Sequence, residues 1–75
     1  MSLDKVVREV LSRRDPQGMF VIVADARARD LIEEFRGWGV IAEEVGDEII
    51  FRTRSRSVAE RLARALARRG LLRSG

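Results

Sequence analysis

Arginine is the side chain that this sequence offers most freely for chemistry: 14 of its 15 basic residues are arginines, and Lys5 is the exception. Two sets of them have usable spacing. Arg52, Arg54 and Arg56 alternate at period two, which puts them on one side of a strand and its exit. Arg61, Arg64 and Arg68 recur at steps of three and four, which makes a stripe along a helix. Guanidinium forks grip phosphate oxygens bidentately, and each neutralised phosphate releases counterions. One surface formed by all six would suit an RNA or DNA backbone, with little base specificity. The competing use is internal: Asp30, Glu33, Glu34 and Glu43 are numerous enough to pair with these arginines within one chain or across a dimer. Interleaved aromatics, which add base stacking to a phosphate track, are missing.

Catalysis has far less to work with. Without histidine or cysteine the chain lacks the usual neutral-pH base, the soft nucleophile and the commonest zinc ligands. Its adjacent carboxylates diverge. Glu43 and Glu44 fall on opposite faces of a strand, and Glu33 and Glu34 lie roughly 100° apart on a helix. Asp25 and Asp30 would hold a magnesium ion only with a substrate phosphate to complete the shell, and capping is the plainer use of Asp25. Gly37-Trp38-Gly39 leads from helix into strand, the reverse of a dinucleotide loop, and lacks the full glycine fingerprint. The expectation is a protein that is not an enzyme, with no cofactor, no metal and no small-molecule substrate. Trp38, the only tryptophan, covers core or anchors a partner.

The elements that position these residues fit one domain spanning 1–75, whose core is thin because so short a chain buries only about 60% of its unfolded surface. Nothing covalent supplements that core, so self-association as a homodimer is expected. The net charge of +3 is unevenly spread. Residues 1–51 carry a net −4 and residues 52–75 a net +7, a field that steers anionic partners. Met1 opens directly on a charged segment, with no apolar run long enough for a bilayer, so a soluble cytoplasmic protein without membrane contact is expected. Arginine dominance also fits a thermophilic or GC-rich source.

Apolar Leu3, Val6, Val7, Val10 and Leu11 recur with helical period after a Ser2 cap. Asp15-Pro16-Gln17-Gly18 has turn chemistry. Met19 to Ala24 is apolar throughout, as a central strand covered on both faces would be. Asp25 is expected as a cap for a second helix burying Ala28, Leu31, Ile32 and Phe35, which stops around Gly37 to Gly39. Val40–Val45 and Glu48–Thr53 form a hairpin closed by Gly46-Asp47. If Val45 faces Glu48, then Val40, Ala42, Ile49 and Phe51 share the core face, and Ile41, Glu43, Ile50, Arg52 and Arg54 share the other. Ser57 and Glu60 fit a capping box for a last helix that ends at Arg68-Arg69-Gly70, with Leu71 closing its cap. Leu72 to Gly75 reads as a tail. The order is α-β-α-β-β-α: an α/β chain of the α+β two-layer sandwich type, with a small three-stranded sheet and helices packed on it.

Residues 4–54 resemble the TusA/SirA sulfur-carrier family. The likeness lies in the helix Lys5 to Arg13, the Pro16-Gln17-Gly18 turn, the strand Phe20 to Asp25, a helix ending at Gly39, and the hairpin Val40 to Arg54. The family's Cys-Pro-x-Pro is absent, with Met1-Ser2-Leu3-Asp4 in its place, which removes persulfide carriage and leaves, by analogy, a habit of docking onto proteins. Residues 19–69 are also similar in element order to the small dimerising subunit of the KEOPS complex, another module without chemistry of its own. The leading expectation is a non-enzymatic binding module that self-associates and docks onto a protein through Ile41, Ile50 and Trp38. The alternative is an RNA- or DNA-binding domain using Arg52, Arg54, Arg56, Arg61, Arg64 and Arg68. The regular caps and turns also suit a computationally designed domain with no biological function, although sparse lysine and the Gly-Trp-Gly loop argue against it.

Overall fold

A computed structural model describes residues 3–73; the Ser2 cap and the inward side chain of Leu3 expected above lie outside the description, as do Ser74 and Gly75 of the tail. Three helices cover one face of a four-stranded antiparallel sheet. The elements are α1 (Leu3–Leu11), β1 (Phe20–Asp25), a 3₁₀ turn (Ala26–Ala28), α2 (Asp30–Arg36), β2 (Ile41–Val45), β3 (Glu48–Thr53), α3 (Arg56–Arg68) and β4 (Leu72–Arg73), with sheet order β2-β3-β1-β4. Helices α1 and α3 pack on each other and on β1, α3 also crosses β3, and α2 lies against β2. No helix among the described residues is long and apolar enough to cross a membrane.

Local chemistry explains most boundaries. The Asp15 carbonyl accepts from the Gly18 amide at 2.9 Å, while its carboxylate accepts from the Gln17 and Met19 amides at the same distance. That turn delivers the chain into β1. Gly46 has φ 60° at the first position of the two-residue loop, as a type II′ hairpin requires. The hairpin adopts the register expected, Val45 opposite Glu48 and Ala42 opposite Phe51. Phe20, Ile22 and Ala24 of β1 join Ile49 and Phe51 of β3 on the covered face, all buried.

Four expectations need correction. The sheet has a fourth strand, formed by part of the segment read as a tail. Gly70, at φ 70°, reverses the chain after α3, with its amide donating to Ala67 and the Leu71 amide donating to Leu66 at 2.9 Å. Leu71 is buried, and Leu72 and Arg73 then pair with Ala24 and Val23. Two residues cannot display a period, so this strand left no pattern. Second, α3 is capped by Ser55 rather than Ser57: the Ser55 hydroxyl accepts from the Val58 amide at 3.3 Å, and Glu60 reaches forward to Arg64 instead of back to the cap. The buried Thr53 hydroxyl accepts from the Ser55 amide at 3.2 Å, which fixes the exit from β3 and starts the helix sooner. Third, Asp25 caps the 3₁₀ turn rather than α2, accepting from the Arg27 amide at 2.9 Å. Fourth, β1 is interior to the sheet but covered on one face only, and Val21 and Val23 are half-buried. The continuous apolar run reflects a neighbour at the margin: Val6 and Val10 of α1 approach Val21 and Val23 across a cleft of about 100 Å³.

Candidate docking surface

The face of the sheet turned away from the helices follows from the pairing, because residues directly opposite in an antiparallel ladder share a face. Three rows cross it. The first runs Val21, Arg52, Ile41; the second Arg73, Val23, Ile50, Glu43; the third Asp25, Glu48, Val45. Successive rows are about 7 Å apart, two residues along a strand. Ile50 stands at the centre, half-buried, with Ile41 and Val45 exposed by 59% and 49% at the outer edge. That edge is the outer side of β2, which among the described residues pairs only with β3.

Charge on this face is organised by arginines, Arg73 and Arg52 on it and Arg27 at its margin. Arg73 donates to Glu48 at 2.9 Å and to Asp25 at 2.8 Å, with Asp47 at 3.6 Å. Those carboxylates hold its guanidinium protonated even more firmly than usual, Glu48 first. Arg52 donates to Glu43 at 3.3 Å and lies 3.9 Å from Asp15. The Asp25 carboxyl drops from its ordinary 3.8 to about 2, chiefly because the Arg27 amide and guanidinium donate to its charged form, with Arg73 adding to them against partial desolvation.

A carboxyl that ionises more readily when folded stabilises the fold above the unfolded pKa and ceases to do so as pH falls through the folded one. Stability is therefore expected to decline from pH about 4 to about 2, and Asp25→Asn to flatten that limb. Urea unfolding at stepped pH checks it; parallel curves for the two proteins would show that Asp25 contributes nothing.

The six arginines do not share one surface. Arg52 lies on the open face, opposite the side on which α3 packs. Arg64 donates to Asp4 at 2.6 Å and to Glu60 at 3.2 Å, so it is occupied, and these partners strengthen its hold on its proton. Arg54 donates to the Gln17 carbonyl at 3.2 Å. Arg56 shares one hollow with Arg8 and Arg64, and Arg61 and Arg68 share another with Arg64, both along α3. Trp38, half exposed, belongs to this helical side: the Arg61 guanidinium lies 4.6 Å over its ring, and Phe35 packs against it at 6.1 Å between centroids. It is thus apart from Ile41 and Ile50.

Asp30 is taken by Arg69 at 2.8 Å, which lowers its pKa, while Asp25 is taken by Arg27 and Arg73, so each aspartate already has a cation. No group of three or more potential metal ligands gathers among the described residues.

The sequence reading missed Val21, Val23, Val45 and Arg73 on the open face. Parity within the expected hairpin register was enough to put Val45 beside Ile41 and Glu43. For Arg73 no signal existed, since its role depends on a two-residue strand. No family model, curated protein or solved structure matches this chain.

Proposed function

We propose that this domain is a non-enzymatic interaction module that docks onto a protein partner through the open face and free edge of its sheet. The observation that carries this reading is a sheet with a helical layer on one side only, whose other side bears Val21, Val23, Ile41, Val45 and Ile50. Apolar residues on an unpaired edge invite pairing with another chain, and a contiguous apolar patch marks interaction sites. The absence of histidine and cysteine and the engagement of Asp25 and Asp30 by arginines support a role without chemistry of its own.

The test is a comparison of the chain with its Ile41→Asp and Ile50→Asp variants in affinity capture, followed by reconstitution with the purified captured protein. Ile50→Asp is expected to bind roughly 30-fold or more weakly, as a central apolar contact worth at least about 2 kcal/mol implies, and Ile41→Asp, at the edge, several-fold more weakly. Equal affinity of all three, with unchanged circular dichroism, would remove the open face as the site.

One observation favours a second reading, a polyanion held along α3: Arg56, Arg61 and Arg68 have no carboxylate partner among the described residues. Anisotropy with labelled single-stranded RNA would then give affinity that falls steeply with salt, and Arg68→Ala would lower the log–log slope by about 0.7. An unchanged slope would take Arg68 out of any such site.

A further inference from the structure

We infer that Trp38 and Arg61 form a base-stacking platform beside the arginines of α3, so that the polyanion fitting this side of the molecule is a single-stranded nucleic acid. The inference rests on the second reading above and deepens it, and it is independent of docking at the open face. Spacing along α3 brings no aromatic residue to its arginines. The fold brings one from elsewhere: Trp38, just past α2, lies half exposed with the Arg61 guanidinium 4.6 Å over its ring. Phe35, itself buried, packs against the indole at a tilt of 52° and supports it. Phe35 and Arg61 also line the open hollow between α2 and α3, about 530 Å³, together with Arg64 and Arg68. The platform therefore stands at the margin of that hollow.

Ion pairing along α3 leaves cations over. Among the described residues, this hollow and the neighbouring one toward α1 are lined by five arginines and three carboxylates, an excess of two positive charges. Arg64 takes Asp4 at 2.6 Å and Glu60 at 3.2 Å, whereas Arg56, Arg61 and Arg68 meet no carboxylate among the described residues. Arg56 and Arg68 are about 18 Å apart along the helix at 1.5 Å per residue, so one ligand reaching all three is extended. Arg61 offers that ligand both a cation for phosphate and a plane for a base.

A ligand matched to this surface carries repeated anionic groups with a flat π-system beside them. Inorganic polyphosphate has only the first. A duplex has both, but holds its base faces inside its own stack. In a single strand those faces are open, and stacking on an aromatic side chain favours every base alike, so little sequence preference is expected.

The test is anisotropy of the full chain with a fluorescein-labelled, mixed-sequence, twelve-nucleotide RNA at low salt, with the unlabelled strand, its duplex and inorganic polyphosphate as competitors. Trp38→Ala is expected to weaken the single strand at least about fivefold, the effect of losing one stacked base, and to leave the duplex and polyphosphate within about twofold. Trp38→Phe should restore most of the loss. Because Trp38 is the only tryptophan, intrinsic fluorescence of the unaltered chain gives a second reading that needs no variant. The unlabelled single strand should quench it by about half, and the duplex and polyphosphate by far less. Equal losses for all three ligands in Trp38→Ala, no loss, or no selective quenching would overturn the stacking inference and leave the polyanion reading standing. No binding of any of the three at low salt would overturn both.

Discussion

Phe51→Ala is expected to cost about 3–5 kcal/mol, the range for truncating a fully buried aromatic. Phe51 has no exposed surface and sits in the middle of β3, opposite Ile22 on β1 and Ala42 on β2, where the ring bridges three strands beneath the helices. A 75-residue domain holds in total only about 4–11 kcal/mol at typical values per residue, so this variant loses a large share of its stability. Its melting temperature should fall by roughly 12–40 °C at about 4–8 °C per kcal/mol. Urea unfolding followed by circular dichroism measures it. A loss below about 1.5 kcal/mol would mean that Phe51 is not the keystone of the covered face.

Cutting the chain after Gly70 should cost nearly as much, about 3–5 kcal/mol, from the burial of Leu71 and partial burial of Leu72 together with the backbone hydrogen bonds that hold this segment. Leu71 closes the α3 terminus and accepts from the Asp25 amide at 2.9 Å, so its removal opens the core and leaves that amide without its partner. Arg73 goes too, and with it the cation shared by Asp25, Asp47 and Glu48. Were the segment the tail that its composition suggests, the cut would change little. Comparison of unfolding midpoints for the two lengths separates these outcomes.

Much of the fold was legible residue by residue. Helical spacing identified the inward positions Val7, Val10, Leu31 and Phe35, all buried. Gly46-Asp47 specified the hairpin register, because a two-residue loop leaves one pairing compatible with the pleat. The candidate site was legible in part: Ile41 and Ile50 were assigned to the open face by parity, whereas Trp38, grouped with them by type, belongs with α2 and α3. Val21 and Val23 were obscured because an apolar run looks alike whether its second side meets a full layer or one helix at the margin.

The basic C-terminal third shows the remaining divide. Sequence by itself determined that arginines would crowd there and which of them would share a helix face, because both follow from composition and local period. Tertiary structure alone decided their partners: Arg64 meets Asp4 from 60 positions away, Arg73 meets Asp25 from 48, and Arg69 meets Asp30 from 39. Periodicity is a property of neighbouring residues, whereas an ion pair forms wherever chain closure brings opposite charges within a few ångströms. The same closure put the helices on one side of the sheet. It thereby left the other side apolar at its centre, with ion pairs at its rim.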